Sequence, residues 1–242
     1  YIQNELAIDN VSVIATVATL EAYEEAMEWG WFTYRSPIPT MVFDDDTEHT
    51  IGQSTNVWLT PVTGHQSSGE DVIVYMEKLE GDEEYDEQPA IMMVVDVVFP
   101  KWAPFYNFAL TTNLFGYITL HQTILEEYDL GDDGYFLGGH LNQVGSRIDV
   151  EANMNLTMAV LEAAENALQT VDFAAQAGPV GAFDPNRLNF GNTWAAFGSW
   201  LGEAERVCAR NVLEQYGCTF AGLDVVILTF CFTANNFLRV KI

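Results

Sequence analysis

Residues 147–160 read Arg-Ile-Asp-Val-Glu-Ala-Asn-Met-Asn-Leu-Thr-Met-Ala-Val, and the period assigned to this stretch decides the fold class. Ile148, Val150, Ala152, Met154, Leu156, Met158 and Val160 share one parity, while Asp149, Glu151, Asn153, Asn155 and Thr157 share the other. A repeat of two residues belongs to a strand with one face on a core and one in water. The spacing predicts a strand over 147–160, followed directly by a short helix over 161–170.

Upstream, from Pro39 onward, the chain also reads mostly as β. Candidate strands are 40–43, 56–61, 71–79, 90–99, 108–114, 117–127 and 134–141, with exposed loops at 63–70 and 81–88. Residues 90–99 are apolar on both parities except Asp96, the pattern of a central strand. Downstream, the β-branched and aromatic runs 223–232 and 237–242 predict two closing strands.

Helix is expected at the two ends of this body. Residues 10–29 read as helix in their second half, and Val11 to Val17 is ambiguous between helix and strand. Residues 192–216 carry Trp194, Phe197, Leu201, Ala204, Cys208 and Val212 at spacings of three and four, with Asn192 or Thr193 as the cap and Gly217 as the stop. Gly198 and Gly202 in that helix predict a close approach of another backbone, in tight packing on a sheet.

These elements predict an α+β protein built on a predominantly antiparallel β sandwich, jelly-roll-like or as a strongly curved sheet. An N-terminal helix and a long C-terminal helix at about 192–216 complete it. One domain over 1–242 is expected: a helical segment at 1–30, a β-rich body at 39–160, and a helix with closing strands at 161–242.

The composition narrows the function. Of 242 residues 49% are hydrophobic, too many for a disordered acidic tail. No run approaches the roughly 18 consecutive apolar residues of a membrane span. Nine basic residues against 35 acidic ones give a net charge of −26, which repels phosphate backbones and disfavours nucleic acid as a partner. Such charge fits life in concentrated salt, binding of cations, or an ordinary acidic soluble protein.

Residue 1 is Tyr, and Asn10-Val11-Ser12 and Asn155-Leu156-Thr157 fit the N-glycosylation triplet. Together they point to a mature protein outside the cell or on a cell or virion surface. Of Cys208, Cys218 and Cys231, one pair can bridge and leave the odd one buried, with Cys231 read as a small core residue.

Chemistry-bearing clusters are few. Asp44, Asp45 and Asp46, the run from Asp82 to Glu87, and the group Asp129, Asp132 and Asp133 offer carboxylates on loops. Asp129, Asp132 and Asp133 are the preferred calcium ligands, because Gly131 and Gly134 allow a tight turn around an ion. His121 and His140 would form a zinc site only if neighbouring strands set them side by side. No nucleophile elbow, phosphate loop or dinucleotide fingerprint is present. Asp96, inside an apolar run, is either a costly buried carboxylate or a solvent-facing one. The aromatic group Trp102, Phe105, Tyr106 and Phe108 reads as core, as a contact surface, or as the lining of an apolar cavity.

Three functions compete. The first is a non-enzymatic extracellular surface or assembly protein (a coat, filament or layer subunit) that is salt- or calcium-adapted and has copies of itself as neighbours. The second is a secreted carrier of an apolar small molecule, a lipid or pigment. The third, ranked last, is a carboxylate hydrolase using Asp96 and Asp132.

Overall fold

A computed structural model describes residues 12–29, 39–51, 55–65, 71–78, 89–111, 113–128, 130, 134–140 and 143–240. Strand β1 (Ile14–Thr16) runs into helix α1 (Val17–Glu28), and β1 pairs in parallel with β2 (Met41–Phe43). The main sheet contains β3 (Thr47–Ile51), β4 (Thr55–Val62), β5 (Asp71–Lys78), β6 (Ile91–Met93), β7 (Tyr135–Leu137) and β8 (Val144–Gly145), in sequence order across the sheet. All neighbours are antiparallel except β6 and β7, which are parallel. A parallel pair needs a crossover. It is supplied by α2 (Tyr106–Leu110) and α3 (Leu114–Glu127).

The helices α4 (Arg147–Thr170), α5 (Phe173–Ala177), α6 (Thr193–Tyr216) and α7 (Leu223–Val240) follow. Tyr75, Met92 and Phe136 stand in one row across β5, β6 and β7, all buried, and form with α3, α4 and α7 a continuous apolar core. The architecture is therefore a mixed six-stranded sheet and a small parallel pair with a helical second half. It is not the expected antiparallel jelly-roll-like sandwich.

The correction starts at residue 147. Residues 147–160 are the first part of α4, not a strand, and the expected short helix is its continuation. The buried positions are Val150, Asn153, Leu156, Thr157, Val160, Leu161, Ala163, Ala164 and Ala167, a helical series. The alternation misleads because Val150, Leu156 and Val160 satisfy both periods. The discriminating residues are Ile148 and Met158, 75% and 47% exposed though on the "core" parity, and the buried polar Asn153 and Thr157 on the "wet" one. Two local signals favour helix: the richness in Ala, Leu, Met and Glu, and Ser146-x-x-Asp149, in which the Asp149 carboxylate accepts from the Ser146 N–H at 2.9 Å.

Asn153 is buried for a reason. Its side-chain oxygen accepts from the Phe99 N–H at 3.3 Å, and its amide nitrogen donates to the Phe99 carbonyl at 3.2 Å and to Asp149 O at 2.9 Å. Phe99 belongs to the irregular chain that leaves β6, so a side chain of α4 supplies the hydrogen bonds a neighbouring strand would otherwise give. The expected strand 90–99 consequently shrinks to Ile91–Met93 and gives way to a turn at 95–97.

Other expected strands fail in the same way. Residues 117–127 lie in α3, and 108–114 span the left-handed turn of α2 and the start of α3. Residues 223–232 and the described part of 237–242 are the single helix α7, whose β-branched and aromatic content is overridden by packing of Leu223, Ile227, Phe230, Cys231 and Ala234 on the core. Strands 40–43, 56–61, 71–79 and 134–141 survive in shortened or shifted form as β2, β4, β5 and β7.

α6 matches its expected span, with the Asn192 side chain accepting from the Ala195 N–H at 3.0 Å. No atom lies within 4 Å of a Cβ built on Gly198, so the expected close approach does not occur there. Cys208 of α6 is bridged to Cys231 of α7. Cys231 is thus buried but covalently tied, and the odd cysteine, Cys218, is exposed rather than buried.

Asn153→Leu removes the partner of the buried Phe99 N–H and one of the two donors to Phe99 O. It should lower the unfolding free energy by about 2–3 kcal/mol, measured by urea titration. Asn155→Leu, one turn position away on the exposed side, should change it by less than about 0.5 kcal/mol.

Candidate functional site

The chain between β6 and α2 carries the most unusual backbone. Asp96 and Lys101 have φ of 65° and 62°, and Asn107, Phe108, Ala109 and Leu110 have φ between 51° and 68°. Each left-handed non-glycine residue costs roughly 1 kcal/mol, so the surrounding structure must hold them.

Several contacts do so. Phe108 is fully buried and stacks on Phe230 of α7 with centroids 4.2 Å apart. Thr229 Oγ1 accepts from the Asn107 N–H at 3.0 Å. His65, from the segment expected to be an exposed loop, is only 2% exposed. Its Nε2 lies 2.6 Å from Ala109 O and its Nδ1 3.3 Å from Asp71 Oδ1. Both neighbours are acceptors, so the setting favours the doubly protonated ring. Burial alone would lower the pKa of His65, but the Asp71 carboxylate and the Ala109 carbonyl outweigh it and the net shift is upward.

Beneath the turn, the Tyr117 hydroxyl donates to Val97 O at 2.5 Å, and burial pushes the phenol pKa upward. One helical turn on, His121 donates from Nδ1 to Tyr117 O at 2.7 Å, and its Nε2 has no well-formed hydrogen bond. Burial pushes its pKa down to about 4, against the pull of the Tyr117 and Val97 carbonyls. Two buried histidines therefore have pKa values shifted in opposite directions, according to whether a carboxylate is at hand.

Above the turn lies an apolar cleft of about 480 Å³, lined by Phe99, Trp102, Ala103, Pro104, Phe105, His140, Ala221, Gly222, Val225 and Val226. Its floor is a short bridge between Trp102 and Ala221, with the Ala103 N–H donating to Ala221 O at 3.1 Å and the Ala221 N–H to Lys101 O at 3.0 Å. His140 is brought to its rim by Gly138 and Gly139. A Cβ on Gly138 would stand 2.1 Å from Val98 O, and one on Gly139, whose φ is +94°, 2.8 Å from Val95 Cγ1. With no side chains there, the loop lies flat on the turn, the Asp96 N–H donates to Gly138 O at 3.1 Å, and His140 Nδ1 meets Asp96 Oδ1.

A somewhat larger groove, about 570 Å³, runs between α2 and α7 and is lined by Asn107, Leu110, Thr111, Phe232, Thr233, Asn236, Phe237 and Val240. It has no ionisable lining residue. The smaller cleft has at its rim the His140 imidazole, backed by the Asp96 carboxylate, which makes it the stronger site.

The residues singled out from sequence fare unevenly. Asp129, Asp132, Asp133, the loop at 82–87 and Asn10 lie outside the described residues. Asp44, Asp45 and Asp46 are exposed between β2 and β3. Asn155 is exposed on α4. His121 and His140 are not side by side on strands, since His121 is in the interior of α3 and His140 on a surface turn. Among the described residues no group of three or more His, Cys, Asp or Glu could hold a metal ion. Asp96 is neither fully buried nor solvent-facing in a strand, but one fifth exposed and paired. His65, Tyr117 and Asn153 were not anticipated. The double glycine before His140 was the available signal for the rim.

Helix α7 is long and apolar enough to cross a membrane by length and composition, with a third of it buried in the protein. Its outer stripe of Val225, Leu228, Phe232 and Val240 is exposed.

The histidine states set a pH dependence. The neutral His121 contributes stability that is fully present above about pH 6.5 and is lost as pH falls towards 4, by about 3 kcal/mol in all. The His65 contribution has the opposite sign and fades as pH rises through its raised pKa. Urea titrations across this range should show both limbs. His121→Leu should flatten the acid limb alone; an unchanged acid limb would refute the assignment.

No family model and no curated protein matches the sequence. Among solved structures, a metallo-beta-lactamase from Pontibacter korlensis is 17% identical, covers 65% of this chain and 73% of its own, and superposes with a TM-score of 0.42.

Proposed function

We propose that the protein is a binder, or carrier, of a small apolar molecule held in the cleft beside α7. The observation that carries this reading is the cleft itself: about 480 Å³, walled by Trp102, Phe105, Val225 and Val226, with one polar side chain at its mouth. That size and chemistry suit an alkyl chain or single ring system. Covalent catalysis has little to work with, because none of the lining residues carries a hydroxyl or thiol. In NMR titration of the whole protein, heptyl methyl ether should shift the amides of Ala221, Gly222 and Val225 with a Kd of about 1 mM, as expected for nine heavy atoms. Ala221→Trp, at an exposed lining position, should weaken binding about tenfold, the loss of roughly two buried methylene groups. Shifts scattered over the surface, or insensitive to that substitution, would count against the cleft.

A second reading, assembly with further copies of the chain outside the cell, is favoured by the stripe Val225, Leu228, Phe232 and Val240 on α7. A net charge of −26 opposes association in dilute buffer, and salt screens it. Sedimentation should therefore give a larger species in molar salt than in dilute buffer. Leu228→Asp with Phe232→Asp should return it to monomer; salt-independent monomer in the parent protein would exclude this reading.

A further inference from the structure

We infer that the cleft selects a molecule bearing a hydroxyl group, an alcohol with an apolar body, whose O–H donates to Nε2 of His140. The inference rests on the binding role proposed above and names the ligand chemistry of that same cleft.

The argument begins with the tautomer. Asp96 Oδ1 can only accept, so the His140 Nδ1 facing it carries the proton. In the neutral ring Nε2 is then an acceptor, held in place by the carboxylate behind it. Among the described residues nothing bonds this atom, and the His140 side chain is 60% exposed at the rim.

Several other polar groups of the cleft are already used. The Trp102 indole N–H donates to the Gln143 amide oxygen at 3.2 Å, and the Gln143 amide nitrogen donates to Pro100 O at 3.0 Å, in the orientation that satisfies both. The Phe99 peptide groups bond Asn153, the Trp102 N–H donates to Phe99 O at 3.2 Å, and the N–H groups of Ala103 and Ala221 are paired across the floor. The N–H groups of Val225 and Val226 donate to Gly222 O at 3.1 and 3.3 Å. Pro104 has no N–H. Among the side chains lining the cleft, the hydrogen-bonding choice thus falls to one acceptor, Nε2 of His140, set in an apolar wall.

That acceptor discriminates. A hydroxyl supplies the donor it lacks, whereas an ether of the same size supplies none. A carboxylate would need the imidazolium and would approach Asp96 and a protein of charge −26, both repulsive. The strain at Asp96, left-handed with φ 65°, and the two glycines ahead of His140 serve this placement of a carboxylate behind a rim imidazole.

The experiment compares 1-octanol with its isomer heptyl methyl ether, which has the same number of heavy atoms and no donor. Both are titrated into the whole protein and followed at the Gly222 and Val225 amides. We expect octanol to bind about fivefold more tightly, the effect of one neutral hydrogen bond. His140→Phe should abolish the preference, bringing the two affinities to within about twofold of each other whatever it does to the affinity of the ether itself. Equal affinities in the parent protein, or a preference that survives His140→Phe, would overturn the hydroxyl inference while the binding role stands. Failure of both molecules to bind at the cleft would overturn the binding role itself.

Discussion

The buried carboxamide of Asn153 is the contact on which the rest of the molecule depends. It sits on the inner face of α4 and bonds both peptide groups of Phe99, the residue at which the chain has left the sheet and has no strand partner. Without it the buried Phe99 N–H would go unpaired, at a cost of about 1–3 kcal/mol, and Phe99 O would keep only the Trp102 N–H as donor. With it, the chain from β6 can turn at 95–97, cross under the helices, and return to pair β7 in parallel with β6. The crossover, the left-handed turn of α2 and the cleft all lie downstream of this anchor.

The same segment is held from below by α3. Tyr117 bonds Val97 O, while His65 ties the left-handed turn to Asp71. His121, neutral, fills the space next to Tyr117 with ring centroids 4.6 Å apart. The interior thus contains one histidine whose pKa is raised and another whose pKa is lowered. The difference follows mainly from the Asp71 carboxylate, with Asp96 adding to it, because desolvation acts on both rings in the same direction. The strain at Asp96 and in α2 is thereby spread over hydrogen bonds from three helices and from His65, itself held by Asp71 of β5, and the surface above the turn is free to serve as a binding cleft.

The site was partly legible in the sequence. The Trp102 and Phe105 group suggested cavity lining as one of its readings, and both residues do line the cleft. Asp96 stood out as a carboxylate in an apolar run. Its partner His140 could not be inferred, since the two are far apart in sequence and meet only because the Gly138-Gly139 loop lies on the 95–97 turn. His65 was placed in an exposed loop because Gly, Ser and Gln surround it, a composition that reports solvent exposure on average and says nothing of one inward-facing ring. Asn153 was assigned to water for its polarity, when its polarity is why it is buried.

Local chemistry by itself determined the elements whose signals agree at every level. In α6 an Asn cap, an apolar stripe and a terminal glycine all indicate the same helix, and β4 and β5 are short β-rich runs bounded by turn residues. Tertiary structure decided the rest. In α4 three apolar residues satisfy both a period of two and a period of 3.6. Which period prevails depends on what Asn153 meets, and that partner, the Phe99 backbone, is 54 residues away. In α7 a β-prone sequence is helical because its inner face is bridged at Cys231 to α6 and packed by Phe230 on α2. Long-range contacts of this kind outweigh propensities of a few tenths of a kcal/mol per residue, and no local window contains them.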